Sequence, residues 1–344
     1  MAGNTYNSPA GRRNEVKGEM LAIAEPQEVL MLGFTPKRMP KNEGDNVTYR
    51  ARIPAGGATT NANTINRWSV AAAEYVVQEG VTPAAKALQF RDVNVQVQQY
   101  AVIYSYTDKT ADLHEDDIPG EQKEQVAMEM GLVREMIRYG EAKASTNVQY
   151  SGGTTRATVD EGISYNGLSL MARTLQANGA MKKTRILKPG PEYDTAAIDA
   201  AYVVFVHTDA AHDIRRLEDF VPVRKYATGG PISPHELGSV GDFRFIVSKE
   251  LGPYLGAGAA VGSTGLEAAN ATNIDVYPFL VCAEKALYDV ALNVNFDVDH
   301  QPASLKSKAD LLGQRGYVSA VFWSAAKVVN NGWCGVIEAG VTDL

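Results

Sequence analysis

The chain has 344 residues, 45% of them hydrophobic and 21% charged, and its 33 Lys and Arg against 40 Asp and Glu leave a formal net charge of −7. Such a chain folds around a substantial core without disulfide staples, and at ~100–200 residues per domain its length allows two domains or one enlarged by insertions. No apolar stretch approaches the ~20 residues of a spanning helix, the first thirty residues lack the apolar core of a secretory signal, and the acidic total argues against a surface that grips nucleic acid throughout.

Residues 1–19 are polar and without periodicity, too poor in apolar area to offset the entropy of ordering alone. They read as an arm that gains order by lying on something else. Residues 1–60 hold eight Lys and Arg against six acids, or +2, so the remainder carries −9. Apolar residues return between Met20 and Phe34, and Thr35–Asp45, with Pro36, Pro40 and Gly44, reads as a turn-rich break.

Val47, Tyr49, Ala51 and Ile53 alternate with Thr48, Arg50 and Arg52, the period of a strand with one charged face, closed by Pro54. Residues 55–67 contain almost no core material, and strand-like alternation resumes only at Val93, continuing to Tyr106. So long an excursion between two strands is rare in a compact monomer and points to a binding role or completion by neighbours.

The clearest helix is expected over Glu121–Asn147. Pro119 suits the first turn, Asp116 and Asp117 suit the cap, and Val126, Met130, Val133, Ile137 and Ala144 form one apolar stripe. Glu124, Glu135, Arg138 and Glu141 are expected on its solvent side. A second helix is expected over Tyr165–Ala177, with Leu168, Met171 and Leu175 inward and a stop at Asn178-Gly179. Ala200–Val206 reads as a buried strand, Asp209–Phe220 as a short amphipathic helix with Ile214 and Leu217 inward, and Phe243–Val247 as another strand. Gly252–Asn273, rich in Gly, Ala, Asn and Ser, reads as an exposed mobile loop. Strands are expected over Val276–Ala283, Ala286–Val294 and Gly316–Trp323, and Val328–Ile337 reads as a hairpin turning on Asn330-Asn331-Gly332.

Chemistry is sparse. His207, Asp209, His212 and Asp213 have the residue types of a zinc site or an oriented imidazole, but no spacing forces both imidazoles onto one ion. The structural reading is preferred, with Asp209 capping the helix and Asp213 complementing its dipole. Gly256, Gly258 and Gly262 resemble a dinucleotide loop only superficially, since Pro253 precedes them and no helix follows. Glu115, Asp116 and Asp117 read as helix-start electrostatics rather than a cation site. Cys282 and Cys334 lie in apolar runs and read as core. Arg12-Arg13 and the Arg50/Arg52 face could meet phosphate or an acidic neighbour. No hydrolase, phosphate-loop, metalloprotease or C-x-x-C signature occurs, so no catalytic, cofactor-binding or metal residue is assigned.

Four segments carry a family likeness: Gly80–Asp108 (GVTPAAKALQFRDVNVQVQQYAVIYSYTD), Tyr202–Phe220 (YVVFVHTDAAHDIRRLEDF), Tyr277–Leu292 (YPFLVCAEKALYDVAL) and Ala309–Glu338 (ADLLGQRGYVSAVFWSAAKVVNNGWCGVIE). In their order the chain resembles the major capsid proteins of tailed phages, with the Hong Kong ninety-seven type shell fold, and within them the branch typified by N-four-like podophages. The resemblance implies an α+β capsid fold: an N-terminal arm over 1–44, an extended β-hairpin E-loop over 45–98, a P-domain over 99–199 with a long spine helix, an inserted α/β A-domain over 200–275, and a β-rich part over 276–344 returning to the P-domain. It implies a virion structural protein, not an enzyme and without cofactor, that assembles as hexamers and pentamers into an icosahedral shell. Its partners would be its own copies, a portal protein and possible separate scaffolding and decoration proteins. The shell would enclose double-stranded DNA without sequence-specific binding and with no membrane. Some such shells cross-link through an E-loop lysine, but Ala55–Arg67 has none, and no long charged helical extension acts as a fused scaffold. The alternatives are a cellular nanocompartment shell of the same fold, a tail or adaptor protein, and a metal-dependent hydrolase using His207, Asp209 and His212.

Overall fold

The computed structural model describes residues 26–344 except 43, 56–67, 69, 116, 188–194, 227–229, 263, 293–297 and 307–309. The expected arm segment 1–19 and the core-poor stretch 56–67 lie outside the described residues.

In chain order the strands are β1 (Thr35–Met39), β2 (Asn46–Arg52), β3 (Phe90–Gln96), β4 (Gln98–Thr107), β5 (Val148–Tyr150), β6 (Lys183–Leu187), β7 (Thr195–His207), β8 (Val221–Pro222), β9 (Glu236–Val240), β10 (Phe243–Ser248), β11 (Tyr277–Cys282), β12 (Leu287–Leu292), β13 (Val298–Gln301), β14 (Arg315–Val328) and β15 (Cys334–Ala339). The helices are α1 (Asp108–Leu113), α2 (Ile118–Lys143), α3 (Tyr165–Ala177) and α4 (Ala211–Arg215). No helix among the described residues is long and apolar enough to cross a membrane.

Two sheets share the core. In the first, the long β14 carries β4 along one edge and β13 and β12 along the other, and β1 adds in parallel to β12. The second runs β5-β15-β11-β7-β10-β9-β8, with β6 also on β7. From Ala201 to Val206 strand β7 is central and buried on both faces, the reason this stretch reads as an unbroken apolar run. Tyr202, Val204 and Val206 face α3 and α4, where Leu168, Met171, Leu175 and Ile214 cover them. Val203 and Phe205 face the other way, onto Val29, Leu30, Tyr139 and Leu287.

Helix α2 joins the two sheets. Its first half lays Val126 and Met130 on Tyr106, Val318, Ala320 and Phe322 of the first sheet. Its second half places Tyr139 and Ala142 in the core of the second. At 1.5 Å per residue its 26 residues reach ~39 Å, the span such a bridge needs. Asp117 caps it by accepting from Gly120 N, and Pro119 occupies the first turn as expected.

Several expectations are corrected. The helix starts at Ile118 and stops at Lys143, leaving Ala144 exposed beyond its end. Glu135 and Arg138, expected on the solvent side, are 0% and 1% exposed, because α2 is covered on that side by β12 and the chain before β1. Thr35–Met39, read as part of a break, is a strand; its parallel pairing with β12 overrides the proline signal because Pro36 sits near its start. Asp209–Phe220 gives only the five-residue α4 after a 3-10 turn, and the chain leaves it through Asp219 at φ +59°. Val328–Ile337 is not a hairpin: Asn331–Trp333 is a 3-10 turn carrying the chain from the first sheet to the second. Neither Asn331 nor Gly332 takes positive φ, and the Asn330 side chain accepts from Gly332 N instead. By contrast α3 has the expected bounds, and Gly179 follows it at φ +69°.

Candidate functional site

The residues with the strongest chemical potential in the sequence are engaged in structure. His207 ends β7 and caps the following turn by accepting from Asp209 N, a role expected of Asp209. Its Nε2 meets Lys249 O at 3.1 Å and its Nδ1 lies 2.8 Å from the Asp209 carboxylate. Asp209 and Glu267 both accept from Tyr277 Oη, at 3.0 and 2.6 Å, and burial followed by these two acids pushes the Tyr277 phenol far up. Asp213 accepts from Thr342 N at 2.8 Å and Oγ1 at 2.6 Å, while His212 turns toward Arg216. The four residues thus tie a helix start to the C-terminal segment and do not converge on one point. Among the described residues no three His, Cys, Asp or Glu side chains gather as metal ligands.

Gly252–Asn273 is built rather than loose, which corrects its reading as a mobile loop. Asp275 accepts from Gly256 N at 2.5 Å and Ala269 N at 2.9 Å, so one carboxylate gathers both sides of the loop. Tyr254 pairs with Val276 through backbone bonds. The Arg156 guanidinium lies 3.6 Å over the Tyr254 ring and forks onto the buried Glu338 at 2.6 and 2.7 Å. Gly256, at φ +58°, makes the tight turn.

Two further regions are defined by packing and exposure. The first is the dock of the segment before β1. Glu135 Oε1 accepts from Val29 N at 2.9 Å and Leu30 N at 2.8 Å. Arg138 donates to Asp289 of β12 at 2.7 and 3.1 Å, and its Nη1 lies 3.5 Å from both Glu28 and Glu135. Burial pushes the Glu135 carboxyl up even though the two N–H groups and Arg138 oppose it. Lys183 reaches from β6 to donate to Leu32 O at 2.6 Å and Gly33 O at 2.9 Å, and burial lowers its pKa. A Cβ on Gly33 would stand 2.7 Å from the Phe205 ring, so only glycine lets the chain pass this closely. The sequence signal available was the acid–base spacing Glu135–Arg138 on one helix face, which reads equally as a solvated pair.

The second is the projecting ribbon. β2 and β3 pair antiparallel from Asn46↔Gln96 to Arg52↔Phe90, with an exposed Arg50–Asp92 fork. Its base is held by Val95, Val97 and Met39 packed with Val290, and by the Tyr49 ring, tilted 39° to that of Tyr288 with centroids 4.7 Å apart. Beyond the base the described residues between Trp68 and Phe90 are all exposed, among them Trp68, Val70, Tyr75, Val76, Val77, Val81 and Leu88. A second apolar exposure lies at Leu305, Leu311 and Leu312, between β13 and β14.

No family model matches the chain. A major capsid protein of Pseudomonas phage KPP21 is 22% identical over 268 residues, which cover 71% of this chain and 66% of the relative's length. The whole fold resembles solved phage shells. Against a subunit of the cyanophage Pam1 capsid the TM-score is 0.61 at 12% identity, covering 99% of this chain and 100% of that one. Against the capsid of Ralstonia phage GP4 it is 0.61 at 11% identity, covering 99% of both. Against the head of Helicobacter pylori bacteriophage KHP40 it is 0.61 at 11% identity, covering 98% of both. The chain has the mixed α+β fold of phage capsid subunits, with its long helix.

Proposed function

We propose that the chain is a major capsid protein that self-assembles through hexamers and pentamers into the icosahedral head of a tailed phage around double-stranded DNA, and works there as a structural protein rather than an enzyme. The observation that carries this reading is likeness over the full length: 98–99% of the chain superposes on subunits of three phage shells that are themselves covered at 98–100%. The similarity to a phage major capsid protein in sequence supports it independently. The four sequence segments support the narrower placement in the N-four-like podophage branch.

In this reading residues 1–44 are the arm, 45–98 the E-loop, α2 the spine of the P-domain, and 200–275 the A-domain. The exposed apolar residues of 68–90 would be covered by an adjacent subunit, and the paired base of the ribbon would fix the angle at which it leaves. Ala55–Arg67 contains no lysine, so shell strength would come from contacts or a decoration protein rather than lysine cross-links. A portal and a separate scaffolding protein would complete the head, and the net charge of −7 suits a wall that encloses DNA without clinging to it.

Light scattering and electron microscopy of the purified chain test the proposal. Megadalton closed shells above a threshold concentration are expected, with nuclease-protected DNA inside particles taken from infected cells. A chain that stays monomeric at every concentration overturns the reading, and particles filled with protein and no DNA replace it with a nanocompartment shell.

A further inference from the structure

Cys282 and Cys334 have no part in the assembly reading, yet their placement is specific. They stand directly opposite each other, in register, on the antiparallel neighbours β11 and β15. Ala283 N donates to Trp333 O, one residue beyond the pair on each strand, which makes it a non-hydrogen-bonded pair. In such pairs the Cα atoms are about 4.5 Å apart and the side chains lie closest, inside the ~4.4–6.8 Å range that disulfides require. Both residues are free and fully buried in the same apolar cluster. The buried Lys183 ammonium, fixed on Leu32 O and Gly33 O, acts electrostatically on both sulfurs.

We propose that Cys282 and Cys334 form a redox site, in which oxidation by a peroxide joins them in an intrachain disulfide that staples β11 to β15. Either sulfur of the facing pair can attack first, and the step is written here for Cys282. The neighbouring Cys334, with Lys183, draws the Cys282 thiol below the usual range against the opposing effect of burial, whereas Cys282 and burial push Cys334 up. The Cys282 thiolate attacks one peroxide oxygen, forming the S–O bond of a sulfenic acid as the O–O bond breaks and the departing oxygen takes a proton. Cys334 sulfur then attacks the Cys282 sulfur, forming S–S as S–O breaks, and its proton leaves with the hydroxyl as water. Two thiols and one hydrogen peroxide become one disulfide and two waters. The staple would close residues 283–333, which hold β12, β13 and β14 of the first sheet, onto a strand pair of the second.

The test treats the unmutated, natively folded chain with hydrogen peroxide, then maps it by tryptic digestion and mass spectrometry without reduction. The expected product has lost two hydrogen atoms and joins the peptide ending at Lys285 to the peptide beginning at Val328, with dithiothreitol reversing both changes. Closing a loop of this length should raise the melting midpoint of the oxidised chain by about 5 °C over the reduced one. A Cys334→Ala variant should gain oxygen at Cys282 under peroxide and show no such rise. The proposal is overturned if both thiols of the unmutated chain still react with an alkylating agent after peroxide and unfolding, if Cys282 stops at sulfinic acid with Cys334 free, or if the disulfide joins two chains.

Discussion

Replacing Arg138 by methionine isolates the contribution of the arm dock. Arg138 is 1% exposed and is the counter-charge for Glu135, which is 0% exposed, and for Asp289, which is 6% exposed. The substitution keeps most of the side-chain volume but removes the 2.7 and 3.1 Å donations to Asp289 and leaves two carboxylates in the core. Arg134, 3.8 Å from Asp289, compensates only in part. Removing one partner from a buried ion cluster costs about 3–5 kcal/mol. Because unfolding entropy scales with chain length, that corresponds to a fall in melting midpoint of about 5 °C. The loss should depend on pH with a definite sign. Burial already raises the Glu135 pKa, and loss of the guanidinium raises it further, so the folded variant binds a proton that the unfolded chain releases. Its stability is therefore greatest below the unfolded carboxylate range and falls as pH rises through the folded value. Urea unfolding of unassembled subunits, followed by circular dichroism at pH 5 and pH 8, should show the deficit of Arg138→Met growing toward pH 8. A deficit under about 1 kcal/mol, or one equal at both values, would refute the assignment of Arg138 as the counter-charge that stabilises the dock.

Three further outcomes follow from close contacts and exposure. Gly33→Ala places a Cβ 2.7 Å from Phe205 and should destabilise by about 1–3 kcal/mol, with faster proteolytic cutting near residues 29–34. Gly316→Ala drives into the Tyr106 ring, which is hydrogen-bonded to His300 at 2.7 Å, and should cost a similar ~1–3 kcal/mol, read by thermal melting. Val76→Asp and Leu88→Asp, at side chains 76% and 69% exposed, should leave subunit unfolding within about 0.5 kcal/mol of the parent while abolishing shell closure in light scattering.

What was legible in the sequence follows how each element is stabilised. Helix α3 carries its own cap, stripe and glycine stop, so its bounds could be read directly. Strands β7 and β11 were visible because burial on both faces leaves an uninterrupted apolar run. Strand β1 was not: Thr-Pro-Lys-Arg-Met has no strand pattern, and its pairing comes from β12, some 250 residues away in sequence. Glu135 and Arg138 were misplaced for the same kind of reason, since a helical wheel cannot show a second surface arriving from residues 28–33. The turn at Asn330-Asn331-Gly332 carried a strong local hairpin signal, yet β14 and β15 belong to different sheets, and tertiary pairing overrode it. The ribbon was legible through the long gap between two alternating runs, which pair as β2 and β3, while the core-poor stretch 56–67 lies outside the described residues.

That ribbon also sets the energetics expected of assembly. Trp68, Val70, Tyr75, Val76, Val77, Val81, Leu88 and Phe90 are each between 48% and 76% exposed. Fully burying one large apolar side chain gives about 1.5–3 kcal/mol, so covering the exposed parts of these eight would give on the order of 10 kcal/mol. Bringing two subunits together costs an estimated 4–15 kcal/mol of lost freedom before any side-chain ordering. One ribbon contact is therefore close to break-even, and two subunits joined only this way would separate readily. In the proposed shell, a subunit entering a ring would make two such contacts, one with its own ribbon and one beneath its neighbour's, while the loss of rigid-body freedom would be incurred once. The second contact is then nearly all gain, which makes association steep in concentration and lets a misplaced subunit, holding by one ribbon, leave before it is locked in.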